Sequence, residues 1–66
     1  MQIIVNGEER AVDDSITLLI LVQQLGLKPE RVAVELNRKI VSRDRWPDTM
    51  LQNGDRLEIV HFVGGG

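Results

Sequence analysis

The pattern of hydrophobic and polar residues predicts a β-strand at Met1 to Val5, which is apolar except for Gln2. Ile3 and Val5 fall on one face of the first strand. Asn6-Gly7 follows, and this dipeptide favours a two-residue hairpin turn because both central residues of that turn need positive φ. A more polar strand from Glu8 to Val12 runs back. The chain is therefore predicted to open with a β-hairpin.

The period then changes from two residues to that of an α-helix. Apolar residues recur at i, i+3, i+4 and i+7, which places one apolar stripe on a helix: Leu18, Leu21, Val22 and Leu25. Thr17 is placed to cap the start of this helix. Gly26 is placed to end it in the left-handed conformation, and Leu27 can then fold back onto Val22.

Strand patterns return after the helix. They predict strands at Val32 to Leu36, Ile40-Val41 and Arg56 to Phe62, with Trp46 packed beneath the loop between the last two. One helix covering one face of a mixed sheet of four to five strands is an α+β β-grasp, or ubiquitin-like, roll. The predicted core is Ile3, Val5, Val12, Leu18, Leu21, Val22, Leu25, Val34, Leu36, Ile40, Leu51, Leu57 and Ile59. Residues 1–62 are expected to form this domain, and residues 63–66 a flexible glycine tail.

Composition limits the function classes. A chain of 66 residues buries only about 60% of its unfolded surface and has no room for a catalytic cavity of its own, so we expect a protein that is not an enzyme. There is no cysteine to act as a nucleophile or metal ligand. The net charge of −2 is not that of a nucleic-acid-binding protein, and the longest apolar run, Leu18 to Val22, is too short to span a membrane. A soluble cytoplasmic protein is expected.

The side chains offer few reactive groups. His61 is the only histidine and has no second metal ligand or nucleophile arranged with it in the sequence, so neither a metal site nor a catalytic residue is predicted, and no cofactor is expected to be bound. Four basic residues concentrate between positions 38 and 45: Arg38, Lys39, Arg43 and Arg45. They are interpreted as a solvated loop, with a rim that steers an acidic partner surface as the alternative.

The last strand is predicted to carry a docking surface. If Leu57 and Ile59 face the helix, alternation places Val60 and Phe62 on the open face of the sheet. Ile4, on the neighbouring first strand, and Val63, directly after Phe62, are expected to join them. The alternative is that the strand end twists and buries Phe62 under a loop.

The chain ends in Val63-Gly64-Gly65-Gly66. Glycine has no Cβ and reaches positive φ freely, so such an ending can enter a slot that is closed to bulkier residues. The alternative is unneeded slack at a frayed terminus. With no other reactive group evident, the Gly66 carboxylate is the candidate reactive group, Gly64 and Gly65 the segment that threads into a partner's site, and Val63 the connection to the fold.

Together these features resemble a known family. The motifs are the Val32-Ala33-Val34-Glu35-Leu36-Asn37 strand, the Asn53-Gly54-Asp55 turn, the Glu58-to-Val63 run and the glycine ending. Over its whole length the chain resembles the ThiS sulfur carriers of thiamine biosynthesis. Two features depart from the commonest form of that family: the third glycine at Gly64 and the apolar residue at Ile20.

The resemblance implies a carrier rather than an enzyme. A partner of the ubiquitin-activating type uses ATP to adenylate the Gly66 carboxylate, persulfide sulfur converts it to a thiocarboxylate, and thiazole synthase accepts the sulfur. Three alternatives stay open: the small subunit of molybdopterin synthase, which is usually longer, a ubiquitin-like protein modifier joined through Gly66, and an adaptor with an inert tail.

Overall fold

The computed structural model describes residues 1–62, which form one mixed sheet with a helix on one face. The strands are β1 (Gln2–Val5), β2 (Glu8–Ala11), β3 (Val32–Leu36), β4 (Lys39–Val41) and β5 (Arg56–His61), and the α-helix of this part is α1 (Leu18–Gln24). Two short 3₁₀ helices, Pro29–Arg31 and Arg43–Asp48, lie in the connections. The strand order is β2-β1-β5-β3-β4, with β5 parallel to β1 and antiparallel to β3. The predicted β-grasp architecture is confirmed.

The opening hairpin turns at the predicted dipeptide. Asn6 and Gly7 have φ of 50° and 83°, and Val5 pairs directly with Glu8 across the two-residue loop. Both central residues of a type I′ turn have positive φ, which glycine and asparagine adopt more readily than other residues. The local sequence thus determines where β1 ends and β2 begins.

Both ends of α1 are capped as predicted. The Thr17 side chain accepts a hydrogen bond of 3.2 Å from the Ile20 backbone N–H. At the other end Gly26 has φ of 77°, and the Leu27 N–H donates to the Val22 carbonyl at 3.2 Å. This pattern is a Schellman ending, which satisfies carbonyls that the helix leaves free.

The core lies between α1 and the sheet face that the helix covers. Its buried members are Ile3, Val5, Ile16, Leu18, Leu21, Val22, Val32, Val34, Trp46, Leu51 and Leu57. Trp46 is 1% exposed, and its Nε1–H donates to the Val41 carbonyl at 2.9 Å. The prediction that this indole packs beneath its loop is confirmed, and the hydrogen bond satisfies the polar atom that comes with it.

The prediction that Ile40 lies in the core is wrong. Ile40 is 77% exposed because β4 pairs Val41 with Val34 and Ile40 with Glu35, so Ile40 lies on the open face of the sheet. Ile16 and Val32 are buried although they were not predicted to be. The remaining predicted core residues that are only partly buried are Val12, Leu25, Leu36 and Ile59.

Candidate functional site at the end of the last strand

The described part of the chain ends at Phe62, immediately before Val63 and the three glycines. Val63, Gly64, Gly65 and Gly66 lie outside residues 1–62, so their proposed roles and the domain boundary before Val63 stay predictions. The residues that lead up to them are described. They show how the base of the tail, defined here as His61 and Phe62, is held.

Val60 and Phe62 are both open to solvent at this end of the sheet. They are 60% and 51% exposed, respectively. Val60 pairs with Ala33 of β3, whose short side chain leaves the Val60 side chain uncovered on that flank. The alternative that Phe62 is buried under a loop therefore does not hold within the described residues.

Ile4 shares the open face with Val60 but lies away from it. Ile4 pairs with Arg56 in the parallel register of β1 and β5, and Val60 comes four residues later on the same strand. At about 3.3 Å per residue this is a separation of roughly 13 Å along the sheet. The face between them is charged. A surface depression of ≈ 580 Å³ there is lined by Glu35, Arg38, Arg56 and Glu58. The structure thus brings Val60 and Phe62 to one end and leaves half-buried Ile4 at the other.

Asn6 fastens the second half of β5 to the hairpin turn. Its side-chain Oδ1 accepts from the Ile59 N–H at 2.7 Å, and its Nδ2–H donates to the Ile59 carbonyl at 3.2 Å. The Asn6 amide therefore replaces a backbone unit and continues the β1–β5 ladder beyond the last residue of β1. Ile59 is therefore held on one side by the Asn6 side chain and on the other side by β3, where it pairs with Val34.

The base of the tail is fixed by main-chain bonds as well. Val32 pairs with His61 at the end of the β3–β5 ladder. Beyond the strand, the Phe62 N–H donates to the Arg31 carbonyl at 2.8 Å. The point from which Val63 continues is therefore defined by both the sheet and the first 3₁₀ helix.

His61 lies on the opposite side of the sheet from Val60. It contributes to two adjoining depressions on the helix side, one of which, ≈ 310 Å³ in volume, is also lined by Lys28 and Arg31. Within residues 1–62 no group of three or more His, Cys, Asp or Glu side chains is arranged to hold a metal ion. The same part of the chain contains no helix long and apolar enough to cross a membrane.

Sequence reasoning missed the second role of Asn6 and the grouping of Lys28, Arg31 and His61. Asn6 is separated from Ile59 by 53 positions, and the Asn-Gly pair is fully explained by the turn, so no local signal marks the contact. Lys28 and Arg31 lie at the start and the end of the first 3₁₀ helix and His61 lies on β5, so only the strand order brings the three side chains together. The four basic residues at positions 38 to 45 are exposed, as expected for a solvated loop.

Comparison with known proteins places this geometry in one family. The sequence model of the ThiS family matches residues 3–66. A sulfur carrier protein ThiS from Bacillus subtilis is 40% identical over 53 residues, covering 80% of both chains. The crystal structure of a thiamine biosynthesis protein (ThiS) from Geobacter metallireducens superposes with a TM-score of 0.85 at 35% identity, covering all of both chains.

Longer proteins contain a segment that is similar to this chain. A thiazole synthase from Magnetococcus marinus is 46% identical over all 66 residues, yet the chain spans only 20% of that protein. The chain likewise spans 20% of a thiazole synthase from Paramagnetospirillum magneticum. The match to the family over residues 3–66, the likeness to carriers of similar length and the shared β-grasp fold agree, and the chain belongs to the ThiS family.

Proposed function

We propose that this protein is a sulfur carrier for thiamine biosynthesis and that its sulfur is carried on the carboxylate of Gly66. The observation that supports this most strongly is the family match, which extends through the glycines to residue 66. The carrier is a co-substrate: its folded body is recognised by partner enzymes, and the chemistry takes place on its tail.

The Gly66 carboxylate must be activated before sulfur can be added. With an α-carboxyl pKa of about 3.5 in model peptides, such a group is ionised at neutral pH and is a poor electrophile. An adenylating enzyme of the ubiquitin-activating type lets the carboxylate attack the α-phosphate of ATP, which forms an acyl-adenylate and releases pyrophosphate. The terminal sulfur of a persulfide then attacks the acyl carbon and AMP leaves. Reduction of the resulting acyl disulfide by a thiol leaves the thiocarboxylate.

The docking surface proposed for these partners is Val60 and Phe62. Both side chains are exposed, and both lie at the end of the sheet from which the tail continues. Four extended residues, 63 to 66, reach roughly 13–14 Å, so the carboxylate can enter a partner's site while the sheet stays outside it. Ile4 contributes only to a partner that also covers the charged middle of the face.

Thiazole synthase is the proposed acceptor of the sulfur. The support is that proteins named thiazole synthase contain a segment up to 46% identical to this whole chain. Such a segment within the same polypeptide is consistent with a carrier that works with that enzyme. The thiocarboxylate sulfur is nucleophilic and suited to transfer into a thiazole ring.

Intact-mass spectrometry tests the carrier role. Incubation with ATP, an activating enzyme of this type, a persulfide donor and a reducing thiol is expected to raise the mass of the protein by one oxygen-to-sulfur exchange. Deletion of Gly64, Gly65 and Gly66 together, which leaves no glycine to carry the carboxylate, is expected to abolish the shift and to leave the unfolding midpoint unchanged. A wild-type protein that never shifts, with the enzymes shown to be active on another carrier, contradicts the proposal.

The docking surface is tested with a matched pair of substitutions. Val60→Lys is expected to slow adenylation, because it places a charge in the proposed contact. Ile40→Lys is the control, since Ile40 is 77% exposed on the same face but lies at the far edge strand. Equal rates for the two variants contradict docking through Val60.

A further inference from the structure

The helix side of the tail base carries a cationic depression. It is ≈ 310 Å³ in volume and is lined by Gly26, Leu27, Lys28, Arg31 and His61. No carboxylate lines it, although the chain as a whole has a net charge of −2. In the part of the chain that the structure describes, the one ion pair joins the Met1 ammonium to Asp14, so Lys28 and Arg31 form no ion pair there.

This depression is tied directly to the base of the tail. Arg31 supplies the carbonyl that accepts the Phe62 N–H at 2.8 Å, and His61 pairs with Val32 at the end of β5. Because side chains alternate along a strand, the depression lies on the opposite side of the sheet from Val60. Any protein that encloses residues 63 to 66 therefore meets an apolar surface on one side and this cationic surface on the other.

We propose that Lys28, Arg31 and His61 form a second docking surface, which binds carboxylates at the entrance of the partner site that receives the tail. This deepens the proposed function and rests on it. Across an interface, opposite charges raise the rate of encounter and fix orientation. Two such contacts on either side of the tail direct Gly66 into a narrow entrance in one orientation.

A protein surface fits these side chains better than a small anion or a nucleic acid. All three side chains are exposed, so water competes strongly for a single phosphate held only by them. Trp46, the only tryptophan, is 1% exposed, and the exposed Phe62 does not line this depression, so no large aromatic side chain offers a base a stacking surface there. A protein partner supplies several carboxylates and excludes water at the same time. Across the adjoining depression, Glu8 and Arg10 of β2 add one charge of each sign and leave the balance positive.

Steady-state adenylation of the full chain by the activating enzyme tests this surface. The double substitution Lys28→Glu, Arg31→Glu is expected to raise the KM for the carrier by about tenfold or more with kcat within about twofold, because encounter and docking are weakened and the tail chemistry is not. The KM of the wild-type protein is expected to rise with ionic strength, and the KM of the variant to change less. Lys39→Glu, Arg43→Glu carries the same change of net charge on and just after the edge strand β4, two strands away from β5, and is expected to leave KM within about twofold.

The outcomes separate the two proposals. A wild-type protein that is not adenylated at all overturns the carrier function. Normal adenylation of the wild type, with an unchanged KM in the Lys28 and Arg31 double variant, overturns the cationic surface alone. An equal rise in KM for both double variants also overturns it, because net charge and not position is then responsible. Circular dichroism of both double variants shows whether the fold is retained. If the charge reversal at Lys28 and Arg31 prevents folding, the single variants Lys28→Gln and Arg31→Gln repeat the test.

Discussion

Asn6 combines two features whose contributions to stability can be measured separately. Its backbone has φ of 50°, and its side-chain amide makes two hydrogen bonds to the Ile59 backbone, 53 positions away. Asn6→Gly keeps the backbone conformation and removes both side-chain bonds. Asn6→Ala removes the same bonds and also places a Cβ atom where φ is positive.

The expected losses follow from these contacts. A hydrogen bond between neutral groups contributes about 0.5–1.5 kcal/mol net, and the two Asn6 bonds are solvent-exposed, so Asn6→Gly is expected to lower the free energy of unfolding by about 1–2 kcal/mol. A left-handed alanine adds about 1 kcal/mol, which brings Asn6→Ala to about 2–3 kcal/mol. A domain of 66 residues has a total of about 3–10 kcal/mol, so the alanine variant is strongly destabilised.

Equilibrium urea unfolding followed by Trp46 fluorescence measures these losses, since this buried indole is the only tryptophan. Asn53→Ala serves as the comparison for the loss of a single side-chain hydrogen bond. Asn53 accepts one bond, from the Gln2 N–H at 2.8 Å, and is expected to contribute about 0.5–1 kcal/mol. If Asn6→Gly is as stable as the wild type, the bonds to Ile59 contribute nothing. If Asn6→Ala is no less stable than Asn6→Gly, the backbone part of the argument fails.

Three further substitutions test the core, the open face and the helix end. Trp46→Phe is expected to lower the free energy of unfolding by about 1.5–3 kcal/mol, because it leaves a cavity and removes the donor to the Val41 carbonyl. Circular dichroism follows the unfolding of this variant, and an unchanged unfolding midpoint contradicts the prediction. In urea unfolding, Ile40→Lys is expected to change the free energy of unfolding by no more than about 0.5 kcal/mol. Leu57→Ala, at a residue that is 1% exposed, is expected to lower it by about 2–5 kcal/mol. Similar losses for both variants refute the assignment of Ile40 to the surface. Gly26→Ala is expected to lower the free energy of unfolding by about 1 kcal/mol and to speed amide exchange at the end of α1. The cost comes from the φ of 77°, since no atom beyond the adjacent residues lies within 4 Å of the added Cβ. A loss above about 3 kcal/mol indicates a clash that the structure does not contain.

The turns and helix ends that depend on residues close together in the sequence were predictable. The Asn6-Gly7 turn, the Thr17 cap and the Gly26 ending each depend on residues a few positions apart, and all three form as predicted. The error at Ile40 has a non-local cause. Two apolar neighbours, Ile40 and Val41, fit a strand in either orientation, and only the pairing with β3 decides which of them faces the helix.

The same limit applies to the candidate site. Alternation along β5 was sufficient to predict that Val60 and Phe62 are exposed. The distance between Ile4 and Val60 depends on the register of β1 against β5, two strands brought together from opposite ends of the sequence. Neither strand carries a local signal for that register. The cationic grouping near the tail base depends on the same long-range topology.

The place of β5 in the sheet has a consequence for biosynthesis. This strand is made last, yet it lies between β1 and β3 and joins the two hairpins that precede it in the chain. During translation the earlier hairpins have no common partner until residues 56–61 have left the ribosome, so these long-range contacts form late. The tail follows directly after this strand. The fold is therefore completed at nearly the same time as residues 64–66 emerge, which limits the time in which a partner enzyme meets these glycines on an unfolded chain.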